Sequence, residues 1–78
     1  MQMVLYCKNL VAFKHACQLL ENFDPLDFPP QERVEVHVKI ANKKRTYYFT
    51  HDRRSFLKKQ LSLLDNVKMH IKQGENAG

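Results

Sequence analysis

Two groups of cations are the side chains in this sequence best placed to hold something anionic. Lys43, Lys44 and Arg45 are consecutive, and Arg53, Arg54, Lys58 and Lys59 follow within a short stretch. Ammonium and guanidinium groups at that density bind phosphate through charge-assisted hydrogen bonds. The chain has 78 residues and a formal charge of +5, and the excess is unevenly spread. Residues 33–78 carry eleven Lys or Arg against Glu35, Asp52, Asp65 and Glu75, whereas Lys8 and Lys14 are outnumbered by Glu21, Asp24, Asp27 and Glu32 in residues 1–32. Such asymmetry bears on partners and association, not on fold. Lys39, His37 and Tyr48 extend the basic group, and Tyr48 could stack on an unpaired base. Lysine-rich turns also serve simply to keep strands soluble, and neither a helix-turn-helix pattern nor an aromatic RNP pattern is present.

Other chemistry has less support. Ser55 and Ser62 fall inside an expected helix, where the backbone offers no exposed donors for a developing oxyanion. The glycines, Gly74 and Gly78, lie at the C-terminal end of the sequence and supply no phosphate-cradling loop. His37 and His51 would fall on neighbouring strands, a weak basis for acid–base work. Asp24 and Asp27 read as turn residues. Cys7, His15 and Cys17 lack the paired spacing of a structural zinc site, so no metal or cofactor is expected. Two cysteines do not make a disulfide framework, and Cys17 reads as a buried thiol acting as a small hydrophobe.

The elements that must position these groups follow from periodicity. Residues 2–7 alternate as a short strand would, without settling whether they join the sheet. Asn9 is a natural N-cap for a helix over about 10–22, striped by Leu10, Phe13, Ala16, Cys17 and Leu20. Pro25, Pro29 and Pro30 make residues 24–32 a loop, with Leu26 and Phe28 expected to tack it to the core. Val34, Val36, Val38 and Ile40 alternate with Glu35, His37 and Lys39, a strand with one buried face. A turn at Asn42, Lys43 and Lys44, with Asn42 at positive φ, leads into a second strand over Arg45–Thr50, Tyr47 and Phe49 facing inward. Leu57, Leu61, Leu64, Val67 and Ile71 step by three and four, predicting one long helix over 53–73, capped by Asp52 and stopped at Gly74. Arg53, Arg54, Lys58 and Lys59 would then crowd its first turns and oppose its macrodipole at a cost of a few tenths of a kcal/mol each.

The expected fold is α+β: a small antiparallel hairpin or three-stranded sheet with two amphipathic helices on one face, in the order (β)-α-β-β-α. It forms one domain, 1–78, ordered over about 3–73 and frayed over 75–78. No apolar run approaches the roughly 18 residues of a membrane span, and the first residues carry no basic leader. The expectation is a non-enzymatic, cytoplasmic binding domain. It docks on RNA or a ribonucleoprotein through Lys39, Lys43, Lys44, Arg45, Tyr48, Arg53, Arg54, Lys58 and Lys59. The alternative is a protein-interaction or inhibitory module that dimerises, or binds a larger protein, through the apolar helix face around Phe56, Leu63 and Met69.

Overall fold

A computed structural model describes residues 1–72 as β1 (Gln2–Cys7), α1 (Leu10–Asn22), β2 (Arg33–Ile40), β3 (Lys43–Thr50), a 3₁₀ turn (His51–Arg53), α2 (Arg54–Leu61) and β4 (Val67–Lys72). The expected stop at Gly74 and the expected fraying of 75–78 lie outside the described residues. The strands form one mixed sheet in the order β3-β2-β1-β4. β1 runs parallel to β2, joined by α1, while β3 and β4 are antiparallel to β2 and β1 respectively. The α+β class therefore holds, but the sheet has a fourth strand and is not purely antiparallel.

Alternation in the strands directs Met3, Leu5, Val34, Val36, Val38, Tyr47 and Phe49 to one face, where Phe13, Ala16, Cys17, Leu20, Leu57 and Leu61 of the helices complete the core. α1 starts where its cap requires: the Asn9 side chain accepts from the Ala12 N–H at 2.8 Å, satisfying a donor the helix leaves orphaned. Its stripe is buried except for Leu10, which is exposed.

The long terminal helix is not formed. α2 ends at Leu61 with Ser62 as its cap, and Asn66 takes a positive φ of 60° before β4 begins. Two periodicities coexist in this segment. Leu57, Leu61, Leu64, Val67 and Ile71 fit a helix, while Val67, Met69 and Ile71 alternate with Lys68, His70 and Lys72 as a half-buried strand would. The strand prevails because the second edge of β1 is open without it, and β-branched Val67 and Ile71 favour the pleat. Met69 therefore faces the core from β4, pairing opposite Leu5, and belongs to no helix face. Lys58 and Lys59 lie in the last turn of α2, where positive charge complements the macrodipole.

Two local expectations are also corrected. Phe28 is 80% exposed and does not tack the proline loop to the core; the loop is held through Leu26, whose N–H donates to the Tyr48 carbonyl at 2.8 Å. The hairpin turn is Ala41–Asn42, and the positive φ of 53° falls on Ala41 rather than Asn42. Lys43 and Lys44 already belong to β3. An alanine in the left-handed region pays a steric cost that glycine avoids. Ala41→Gly is accordingly expected to stabilise the fold by about 0.5 kcal/mol, read as a higher urea midpoint at unchanged m-value.

Candidate nucleic-acid interface

The sheet face away from the helices is where the polar residues of the strands gather. Register arranges them in rows. Tyr48, Glu35, Gln2 and Lys72 form one; Thr46, His37, Val4 and His70 the next; Lys44, Lys39, Tyr6 and Lys68 the third, at the hairpin end. Glu35 is the only carboxylate in these rows.

That carboxylate is already engaged. Arg33 donates from Nε to Oε2 of Glu35 at 3.0 Å and from Nη1 to the Pro30 carbonyl, while Gln2 Nε2 and His37 Nε2 lie 3.3 and 3.1 Å from Oε1. A neutral His37 ring that donates from Nε2 accepts at Nδ1 from the Thr46 hydroxyl, 3.0 Å away. Burial alone would raise the Glu35 pKa, but the hydrogen bonds of Arg33 and His37 and the positive charge of Arg33 outweigh it and hold the carboxyl below its usual value. A depressed folded-state pKa contributes stability above the unfolded value, lost as pH falls through the folded one. Stability should therefore drop on acidification below about pH 4.3, the ordinary Glu value. Glu35→Gln should flatten that drop in urea midpoints measured across the acid range.

The row at the hairpin end differs in kind. Lys39 and Lys44 are direct cross-strand partners, and like charges so placed repel. On the other side Lys39 pairs with Tyr6, which in turn pairs with Lys68. The row holds no acid and spans roughly 14 Å at the usual strand spacing. Tyr6 is 44% exposed; its ring meets His70 edge to face, 5.7 Å between centroids at 89°. The Lys39 ammonium lies 5.9 Å from the Tyr6 centroid, a cation–π contact worth about 0.5–1 kcal/mol at an exposed site. Below Tyr6 along β1, Val4 is only 4% exposed although it lies on this open face, with His37 and His70 opposite it on either side.

The residues expected from sequence divide between the two ends of β3. Lys39 and Lys44 lie in the row just described, and Lys43 and Arg45 are beside Lys44 on the same strand but alternate to the helix side, where they flank α1 with Lys14 and Glu21. Tyr48 shares the open face but at its far end, opposite Glu35. Arg53 and Arg54 follow the other end of β3, roughly 25 Å from the hairpin turn at the rise of an extended strand. Arg53 lies over the Phe56 ring at 4.8 Å and reaches the Phe23 carbonyl, while Arg54 contacts His51. Lys58 and Lys59 flank a shallow groove between α2 and β4 with Ser55, Ser62 and Met69. The two basic groups are thus not one surface. Nor are His37 and His51 a pair, since His37 stands opposite Thr46, five positions before His51.

Tyr6, Lys68 and His70 escaped the sequence reading. Tyr6 lies in the stretch 2–7, whose alternation suggests a strand but assigns it no face or neighbour, and Lys68 and His70 fall in the expected helix that is not formed. No protein family, curated protein or solved structure matches this chain. Its function is therefore read from its own residues.

Proposed function

We propose that this protein is a non-enzymatic RNA-binding domain, and that the hairpin end of its open sheet face is the binding surface. The row Lys44–Lys39–Tyr6–Lys68 carries this reading: the fold sets lysines directly opposite each other at a cost, leaves them without a carboxylate, and places an exposed aromatic among them. Polyanion phosphates offset that repulsion and gain counterion release. Lys43 and Arg45, beside the row on β3, add to the local positive potential. Lys58 and Lys59 flank β4 from the other side and are secondary in this reading; Arg53 and Arg54 have protein partners of their own.

The test is a titration of fluorescently labelled RNA at two or more salt concentrations, with light scattering to fix the mass of the complex. Contacts from Lys39, Lys44 and Lys68 predict a slope of log affinity on log salt of about −2 for single strands, at about −0.7 per neutralised phosphate. Absence of binding at low salt would sink the RNA reading.

One observation favours a second reading, docking on a protein. Val11 and Leu63 are 62% and 72% exposed and border one groove, together with His15 and Leu64. This small groove of mixed polar and apolar lining replaces the continuous helix face expected from sequence, since Met69 is in the sheet and Phe56 packs on Phe23 at 4.9 Å between centroids. A salt-insensitive complex or dimer abolished by Leu63→Asp would support it.

A further inference from the structure

We infer that the ligand is single-stranded, with one unpaired base stacked on Tyr6. The inference rests on the RNA reading of this face and names what the face selects. Tyr6 and His70 meet at a right angle, so each fixes the other's plane and the pair forms a corner rather than two loose rings. The corner rises beside Val4, an apolar residue buried on an otherwise polar face. Lys39 is the cation near the Tyr6 ring, and its flexible stem lets it leave for a phosphate when a base arrives. Lys44 beyond Lys39, and Lys68 on the opposite side of Tyr6, place cations on both flanks of the base for the adjoining phosphates.

A duplex satisfies these features poorly. Its bases are stacked on one another, so it shows the sheet phosphates, 2′-hydroxyls and base edges but no free base face for Tyr6 to stack on, and the major groove of A-form RNA is too deep and narrow for side chains on a broad sheet to read. Stacking on an aromatic ring is open to any unpaired base because every base has a π face. The corner therefore selects strandedness and not sequence.

The experiment compares a short single-stranded RNA carrying one 2-aminopurine with a duplex of equal length, using the whole protein. The single strand is expected to bind at least about tenfold more tightly at equal salt, with quenched 2-aminopurine fluorescence in the complex. Tyr6→Leu should weaken single-strand binding by about 5- to 150-fold, the range of one base–aromatic stack. It should leave the salt slope and the duplex affinity unchanged, while Tyr6→Phe should behave as the parent. Equal affinity for the two forms, or an unquenched probe in the wild-type complex, would overturn the inference and leave the RNA reading standing. Failure of both RNAs to bind at low salt would remove the RNA reading itself. The quenching and strandedness readouts need only the wild-type protein, so they decide the matter even where Tyr6→Leu does not fold.

Discussion

Changing Lys39, Lys44 and Lys68 together to glutamate is expected to abolish RNA binding at physiological salt while leaving the protein folded. Each lysine that meets a phosphate contributes about 0.7 to the salt slope for single strands, so losing all three lowers the slope by about 2. Reversal goes further than removal, because each glutamate also repels the backbone. The matched control reverses Arg53 and Arg54. These lie roughly 25 Å from the hairpin turn, well beyond the Debye length of about 8 Å at physiological ionic strength. Their reversal should change affinity little. Stability separates a binding defect from an unfolding one. Lys39 and Lys44 repel across the β2–β3 ladder, so Lys44→Glu alone converts a like-charged pair into an opposite one, and a gain of about 0.2–1 kcal/mol is expected. A variant that binds worse and melts higher cannot have lost its ligand by unfolding. Undiminished binding by the triple variant would show that the open face is not the surface.

Leu57→Ala should be the most destabilising single change in α2. That helix has 8 residues, no side-chain N-cap bond, and two fully buried anchors, Leu57 and Leu61. An isolated helix of such length is marginal in water even with favourable composition, so it depends on tertiary packing. Truncating a fully buried leucine costs about 2–5 kcal/mol in lost transfer energy and residual cavity. A domain of this size has about 3–5 kcal/mol of stability from its core in total. The variant is therefore expected to be largely unfolded at 37 °C, with a urea midpoint far below that of the parent. Leu63→Ala, at a side chain 72% exposed, should cost less than about 0.5 kcal/mol. A loss below about 1 kcal/mol for Leu57→Ala would mean that the sheet does not depend on α2 for cover.

Much of this fold was legible in the residues. The β-branched alternation of Val34, Val36, Val38 and Ile40 specifies both a strand and its inward face, because period two admits no helix. Asn9 and the stripe from Phe13 to Leu20 place α1 at its observed bounds. What failed was the stretch from Ser62 to Lys72, where helical and strand periodicities overlap in the same apolar residues. Only the open edge of β1 decides between them, and that edge is a property of the assembled sheet. The site divides for the same reason. Lys39 and Lys44 were identifiable from a hairpin alone, since hairpin register is local. Tyr6, Lys68 and His70 join them only once β1 lies between β2 and β4, and nothing within six residues of Tyr6 announces that neighbour. The positive φ at Ala41 was likewise hidden, because alanine gives no sign of a left-handed conformation where Asn42 beside it does.

The pairing of β1 with β4 also has a consequence in time. Tyr6 meets Lys68 and His70 through the strand pairing most distant in sequence among the described residues, and closing so long a loop is entropically costly and slow compared with hairpin formation. Local pairing is expected to bring Lys39 and Lys44 together in the β2–β3 hairpin before β4 docks to complete the aromatic corner. On the proposed function, a refolding chain is therefore expected to acquire general attraction for polyanions before it acquires any means of distinguishing single strands from duplexes. In a stopped-flow refolding experiment, discrimination should appear as a later phase than attraction.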